Sequence, residues 1–371
     1  MKSITVKCSE LVYRNPKTFL RAEHAYFPSV VMISGQELLA SMVLGSAFES
    51  VDCRVHLARS TDGGRTWSLQ GPLRPPVADT SEACRLSRLK DGQIVAILVE
   101  ADRRGRTDMG LTNPDTMGFV PVRLLLYRSK DNGHTWTGPE VMDPPMKGLE
   151  FELCSPIMEL TDGRLMLPTS TWRKWDGSAP HGMKAVAFVS YDGGKTWPEF
   201  VDVMSGVEKK VVYWEQKIIE LGDGRMLAVA WTYDEGRNEH LPNSYVLSTD
   251  GGRHFGKPAS TKLKGQTPAV ILLEGSQVFC VYRRMDKFGL WGAIAEIDGK
   301  GRWRTAKQEC LWAPIMPRFK GADKDTMVKQ FHALKLGAPH MVRLPDGDIF
   351  VSFWCVEDCV SNIRYLRVRV E

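Results

Sequence analysis

The sequence predicts an all-β protein, a six-bladed β-propeller of four-stranded antiparallel blades whose ring is closed by the N-terminal strand. Three observations predict it. A short turn motif recurs along the chain, a second glycine turn alternates with it, and the 371 residues divide over six such units into about 62 each. The first motif, S-x-D-x-G-x-T-W, has four near-complete copies: Ser60–Trp67, Ser129–Trp136, Ser190–Trp197 and Ser248–Phe255. A degenerate fifth runs from Asp298 to Trp303. Asp accepts hydrogen bonds from the turn's own backbone, Gly supplies a positive φ, and the aromatic ring covers the turn.

The second motif is an apolar strand, a glycine turn and another apolar strand, as in Pro156–Leu167 and Lys217–Leu227. Further copies sit around Gly35, Gly92, Gly275 and Gly347. Each unit therefore reads strand, glycine turn, strand, loop, strand, Asp-Gly turn, strand, the pattern of one propeller blade. The sixth unit lacks the second turn and ends with Ile363–Val370, while Ile4–Tyr13 is a strand left over at the start. Pairing these two closes the ring and removes an open edge. One propeller domain is expected over residues 1–371, and a single short helix over Asp325–Leu336, where Met327, Val328, Phe331 and Leu334 share a face.

With 43% hydrophobic and 25% charged residues, composition excludes a disordered, collagenous or coiled-coil chain. No stretch approaches the ~18 consecutive apolar residues of a membrane helix. The formal charge of +5 is too small and too scattered to argue for nucleic acid. The N-terminus lacks the apolar run of a secretory signal, and the eight cysteines form no CxxC pair, so a cytoplasmic protein with reduced thiols is expected, without metal or cofactor.

Strand direction alternates in a meander, so both short turns of every blade fall on one face. The opposite face carries the segments leading into each first strand and the loops between second and third strands. Those loops are long, dissimilar and loaded with aromatics, carboxylates and arginines, a mixture suited to sugar. The expected partner is a small-molecule or oligosaccharide ligand, neither nucleic acid nor membrane.

The repeated S-x-D-x-G-x-T-W is the Asp box, and with six blades the chain resembles the sialidase (neuraminidase) superfamily over its full length. The resemblance implies an acidic group opening the first strand of a middle blade, which Glu215 matches in Glu215–Gly224. It implies an acid/base Asp before the first Asp box, for which Asp52 is the nearest match and Glu49 the rival. Other features of the family are replaced. Tyr26 stands where a carboxylate-binding Arg precedes a hydrophobic residue and Pro, and Trp231 stands where a second is expected. A third has counterparts in Arg283 and Arg284. The nucleophilic Tyr of the last blade gives way to Gly337-Ala338-Pro339-His340. Losing two arginines removes the bidentate carboxylate recognition of a sialic acid site, which argues against ordinary sialidase activity.

The expected function is a sialidase-like glycoside hydrolase acting on a small or acidic glycoside at the propeller axis. Glu215 is the expected base or nucleophile and Asp52 or Glu49 the acid, with Arg85, Arg283 and Arg284 orienting substrate. His24 and His340, in neighbouring blades of a closed ring, are candidates for a base, a proton donor or part of a metal site. Trp172, Arg173, Trp214, Gln266 and Trp354 complete the candidate binding residues, and Arg302–Gly337 is a candidate lid. Two alternatives stay open: a non-catalytic carbohydrate-binding propeller, and a uronate lyase in which His340 or His24 and Tyr26 abstract a proton.

Overall fold

Near-continuous apolar runs bounded by glycine turns give strands with two buried faces, because each blade is covered on both sides by its neighbours. The computed structural model describes residues 2–314 and 334–371, and its strands assemble into six antiparallel sheets. The expected helix Asp325–Leu336 and the middle of the candidate lid fall largely outside the described residues.

Strand β1 (Ile4–Tyr13) precedes the first blade, which is β2 (His24–Met32), β3 (Leu38–Gly45), β4 (Arg54–Ser60) and β5 (Ser68–Pro72). The second holds β6 (Thr80–Arg88), β7 (Ile94–Asp102), β8 (Val122–Ser129) and β9 (Thr137–Met142). In the third, the first strand is broken into β10 (Glu150–Glu152) and β11 (Met158–Glu159), followed by β12 (Leu165–Trp172), β13 (Lys184–Ser190) and β14 (Glu199–Ser205). The fourth is β15 (Val211–Glu220), β16 (Met226–Asp234), β17 (Glu239–Ser248) and β18 (Ala259–Ser260). The fifth is β19 (Gln266–Glu274), β20 (Gln277–Arg284), β21 (Gly289–Ile297) and β22 (Trp303–Trp312), so the start of the candidate lid is an outer strand. In the sixth, β23 (Leu336–Arg343), β24 (Ile349–Glu357) and β25 (Val360–Val370) are completed by β1, which pairs antiparallel with β25 from Ile4↔Val370 to Tyr13↔Ile363. That closure is the one expected from the sequence.

The core lies between blades. Six apolar clusters fill the six wedges, such as Leu167, Phe188 and Leu126 between blades two and three, or Val278, Leu227 and Trp303 between four and five. Each Asp box is closed as its chemistry demands. Asp62 accepts the backbone N–H groups of Arg65 and Thr66, and the Thr66 hydroxyl donates to it at 2.6 Å. Those donors hold its carboxyl down to about 2. The Gly63 and Gly64 backbones have φ of 74° and 88°, which makes glycine the fitting residue there.

The boxes also join the blades. Arg59 donates to Asn132 O (2.8 Å), Arg128 to Gly193 O (2.9 Å), Arg164 to Gly251 O and Arg225 to Asp298 O (3.4 Å). In each case a guanidinium of one blade binds a turn carbonyl of the next.

Candidate functional site

The first strands line the axis, and four of them carry the same irregularity. Their register slips at Tyr26/Ser29, Trp214/Lys217, Gln266/Ala269 and Gly337/His340. At each slip one non-glycine residue is left-handed: Phe27 (φ 53°), Glu215 (49°), Thr267 (48°) and Ala338 (48°). A β-bulge of this kind turns a side chain out of the strand's ordinary alternation. All four line one cavity of about 170 Å³. The break between β10 and β11 has the same effect in the third blade, where Glu152, Leu153 and Cys154 face the cavity.

Two carboxylates sit on its floor. The Glu215 backbone N–H donates to Glu152 Oε2 at 3.0 Å, so the bulge holds them side by side. Burial raises both pKa values, and the charge of Glu215 raises that of Glu152 further. The cations divide unequally. Lys217 and Arg85 reach both carboxylates, whereas Arg283 acts on Glu215 alone. Arg283 thus favours the charge on Glu215, and that charge in turn favours the proton on Glu152. Lys217 Nζ lies beneath the pair, donating to Cys154 O at 2.8 Å.

Arg85 is buried and donates to Phe27 O (3.0 Å) and Cys154 O (3.3 Å), tying three blades together. Arg283 donates to Gln266 Oε1 and Leu336 O, both at 2.9 Å. A Cβ at Gly337 would lie 2.6 Å from Arg283 Nη1, so a side chain there would displace the guanidinium. The walls are aromatic. Trp172 and Trp214 stack with centroids 5.4 Å apart, Trp231 meets Trp214 edge-on at 5.2 Å, and Trp354 closes the far side. The buried Trp214 Nε1 and Thr267 Oγ1 have no hydrogen-bond partner among the described residues.

Of the residues singled out from the sequence, Glu215, Glu49, Arg85, Trp172, Trp214, Trp231, Gln266, Arg283 and Trp354 line this cavity. Glu49 accepts the Leu111 N–H at 2.7 Å, and burial raises its pKa. Its rival Asp52 lies elsewhere: exposed, its carboxylate binds the Ser46 N–H (3.1 Å) and hydroxyl (3.0 Å) and is held low. Tyr26 is buried against Phe48 and Trp354, and burial pushes its hydroxyl up to about 12. With His24 it lines a separate recess. The two histidines are not brought together. His24 Nδ1 accepts the Ser361 N–H, whereas His340 Nδ1 accepts the Val30 N–H in the axial channel, where burial holds its ring down to about 3. Arg284 is paired with Asp286 over Trp291, and Arg173 with Glu235. No group of His, Cys, Asp or Glu suited to a metal occurs among the described residues.

Sequence reasoning did not single out Glu152, nor Leu111, Thr112 and Phe119 on the long loop after β7, all of which line the cavity. The spacing of Glu152 to Pro156 before a glycine turn was the available signal for Glu152.

The BNR/Asp-box repeat family model matches residues 58–69. A sialidase of Micromonospora viridifaciens is 28% identical over 214 residues, which are 53% of this chain and 30% of that protein. The chain is an Asp-box β-propeller that resembles sialidases. It spans less than a third of the length of that curated relative. Among solved structures, a protein of unknown function from Dyadobacter fermentans superposes on this Asp-box propeller with a TM-score of 0.76, at 19% identity and over 99% of both chains. The leech intramolecular trans-sialidase gives 0.66 at 12% identity, covering 98% of this chain and 70% of that one. The Penicillium chrysogenum α-L-arabinanase complexed with arabinobiose also gives 0.66, at 16% identity and over 98% of both. At these identities the superpositions show the shared fold. No helix among the described residues of the Asp-box propeller is long and apolar enough to cross a membrane.

Proposed function

We propose that this protein is a glycoside hydrolase acting on a small glycoside at the propeller axis. The observation that carries the reading is the buried carboxylate pair, in which Glu152 keeps the proton and Glu215 the charge. Two neighbouring carboxyl groups with pKa values pushed apart are what an acid and a base, or an acid and a nucleophile, require. Glu152 donates the proton to the departing oxygen. Glu215 acts as base or nucleophile at the sugar carbon.

The aromatic walls suit the apolar faces of a sugar ring, while Trp214 Nε1, Thr267 Oγ1 and the unspent N–H groups of Arg85 and Arg283 suit its hydroxyls. Both arginines are largely committed to protein acceptors, and Tyr26 and Trp231 stand where the resemblance called for two more. The site is therefore poorly equipped for sialic acid and better suited to a sugar without a carboxylate. The resemblance of fold extends to an arabinanase crystallised with arabinobiose as well as to sialidases, which fits that preference.

A panel of glycosides tests the reading. Turnover of at least one member by the native chain is expected, falling by about 10³-fold or more in Glu215→Gln, with fold and melting temperature retained. Undiminished turnover in that variant sinks the assignment. A product absorbing in the near ultraviolet points to a lyase, and binding without any product to a lectin.

A further inference from the structure

A second recess of about 560 Å³ opens on the same face, along the seam between blades three and four. Its lining comes from the loop after β12, the segment leading into β15 and the loop after β16. Adjacent residues divide between the two recesses. Trp172 faces the axial cavity and Arg173 the second recess, and along β15 Val212 lines the second and Trp214 the first. Trp172, Val212 and Trp214 belong to one apolar cluster, so the indole stack is a shared partition. The carboxylates Glu152 and Glu215 come from these same two blades.

The polar groups of the recess are few and placed across the seam. Arg173 Nη2 and Glu235 Oε2 pair at 2.7 Å, one from each blade, with side chains 24% and 20% exposed. Arg173 Nε and Nη1 and Lys210 Nζ have no protein acceptor among the described residues. Lys210 stands on a left-handed turn (φ 54°) that closes Gly206–Val211. Free N–H donors beside a carboxylate offer both halves of what vicinal hydroxyls need. An anionic ligand would instead meet Glu235.

We infer that this recess is the leaving-group subsite, taking a neutral glycosyl residue whose hydroxyls bind Arg173, Glu235 and Lys210. This rests on the glycosidase reading above. It adds that the native substrate has at least two sugar units and that the bond cleaved lies at the partition between the recesses.

The test compares kcat/KM for a glycosyl fluoride, whose leaving group is too small to reach the recess, with that for the disaccharide of the same sugar. In Arg173→Gln the disaccharide-to-fluoride ratio is expected to fall about tenfold, and in Lys210→Asn about threefold, through KM on the disaccharide. Asn tolerates the left-handed backbone at 210, so that variant reports on binding even if loss of the Arg173–Glu235 pair disturbs folding. An unchanged ratio in Lys210→Asn and in a folded Arg173→Gln overturns the subsite while leaving the glycosidase reading intact. Absence of turnover of every sugar by the native chain overturns both.

Discussion

Glu152 and Glu215 are chemically identical side chains that the site makes different by where three cations stand. If the protein is the glycosidase proposed, protonation of Glu215 is expected to remove activity on the acid side. On the same reading Glu152 works as the acid, so its ionisation is expected to remove activity on the alkaline side, at a pH well above that of an ordinary glutamate. The glycosyl fluoride needs little protonation of its leaving group, so Glu152→Gln is expected to retain turnover of it. The alkaline limb of its pH–rate profile should disappear while the acid limb stays. Persistence of the alkaline limb in that variant would assign it to another group. This pairing was half legible in the sequence. Glu215 stood out by its place in a repeated strand-turn pattern, but nothing in the text distinguishes a carboxylate beside another from one in solvent. The same blindness affects Asp52 and Glu49, three residues apart. One binds Ser46 on an exposed loop and the other turns into the cavity, a difference made by contacts with the loop after β7.

Four first strands bulge at the same level, and in each the bulged residue lines the cavity. A left-handed backbone costs an L-residue about 1–2 kcal/mol, a strain that persists where the surrounding structure enforces it. Ala338 has almost no side chain to lose, so Ala338→Gly isolates the backbone contribution. We expect it to stabilise the fold by about 0.5 kcal/mol, the relief of strain outweighing the greater freedom of glycine in the unfolded chain. A shift of the urea midpoint at constant m measures it, and a lowered midpoint would show that the bulge is unstrained. Prolines follow Phe27, Thr267 and Ala338, a recurrence visible in the sequence. Its meaning was not, because a bulge is defined by the partner strand it slips against.

Closing the ring joins the two ends of the chain, and one buried carboxylate holds much of that joint. Asp348, at the start of the sixth blade's second strand, is fully buried and pairs with Lys7 on β1 (2.9 Å), Arg367 (3.1 Å) and Arg369 on β25. Removing it leaves three partly exposed cations without their shared partner, though Arg367 keeps Asp346, at a cost of about 1–2 kcal/mol. Asp348→Ala is therefore expected to lower the urea midpoint and to speed hydrogen exchange at the β1 amides before the rest of the ring opens. Uniform loss of protection across all six blades would place the cost elsewhere.

The sequence by itself determined the number of blades, the strand order within each, the closing strand and the division between a turn face and a loop face. All of these follow from local chemistry: short apolar runs, positive-φ glycines and an Asp that satisfies its own turn. Only the tertiary structure decided which loop residues meet. Glu152 and Glu215 are 63 residues apart in the chain and joined by one 3.0 Å hydrogen bond. Arg85, Lys217 and Arg283 reach them from three blades. Which carboxylate holds the proton depends on summed distances and burial, and no local pattern encodes those.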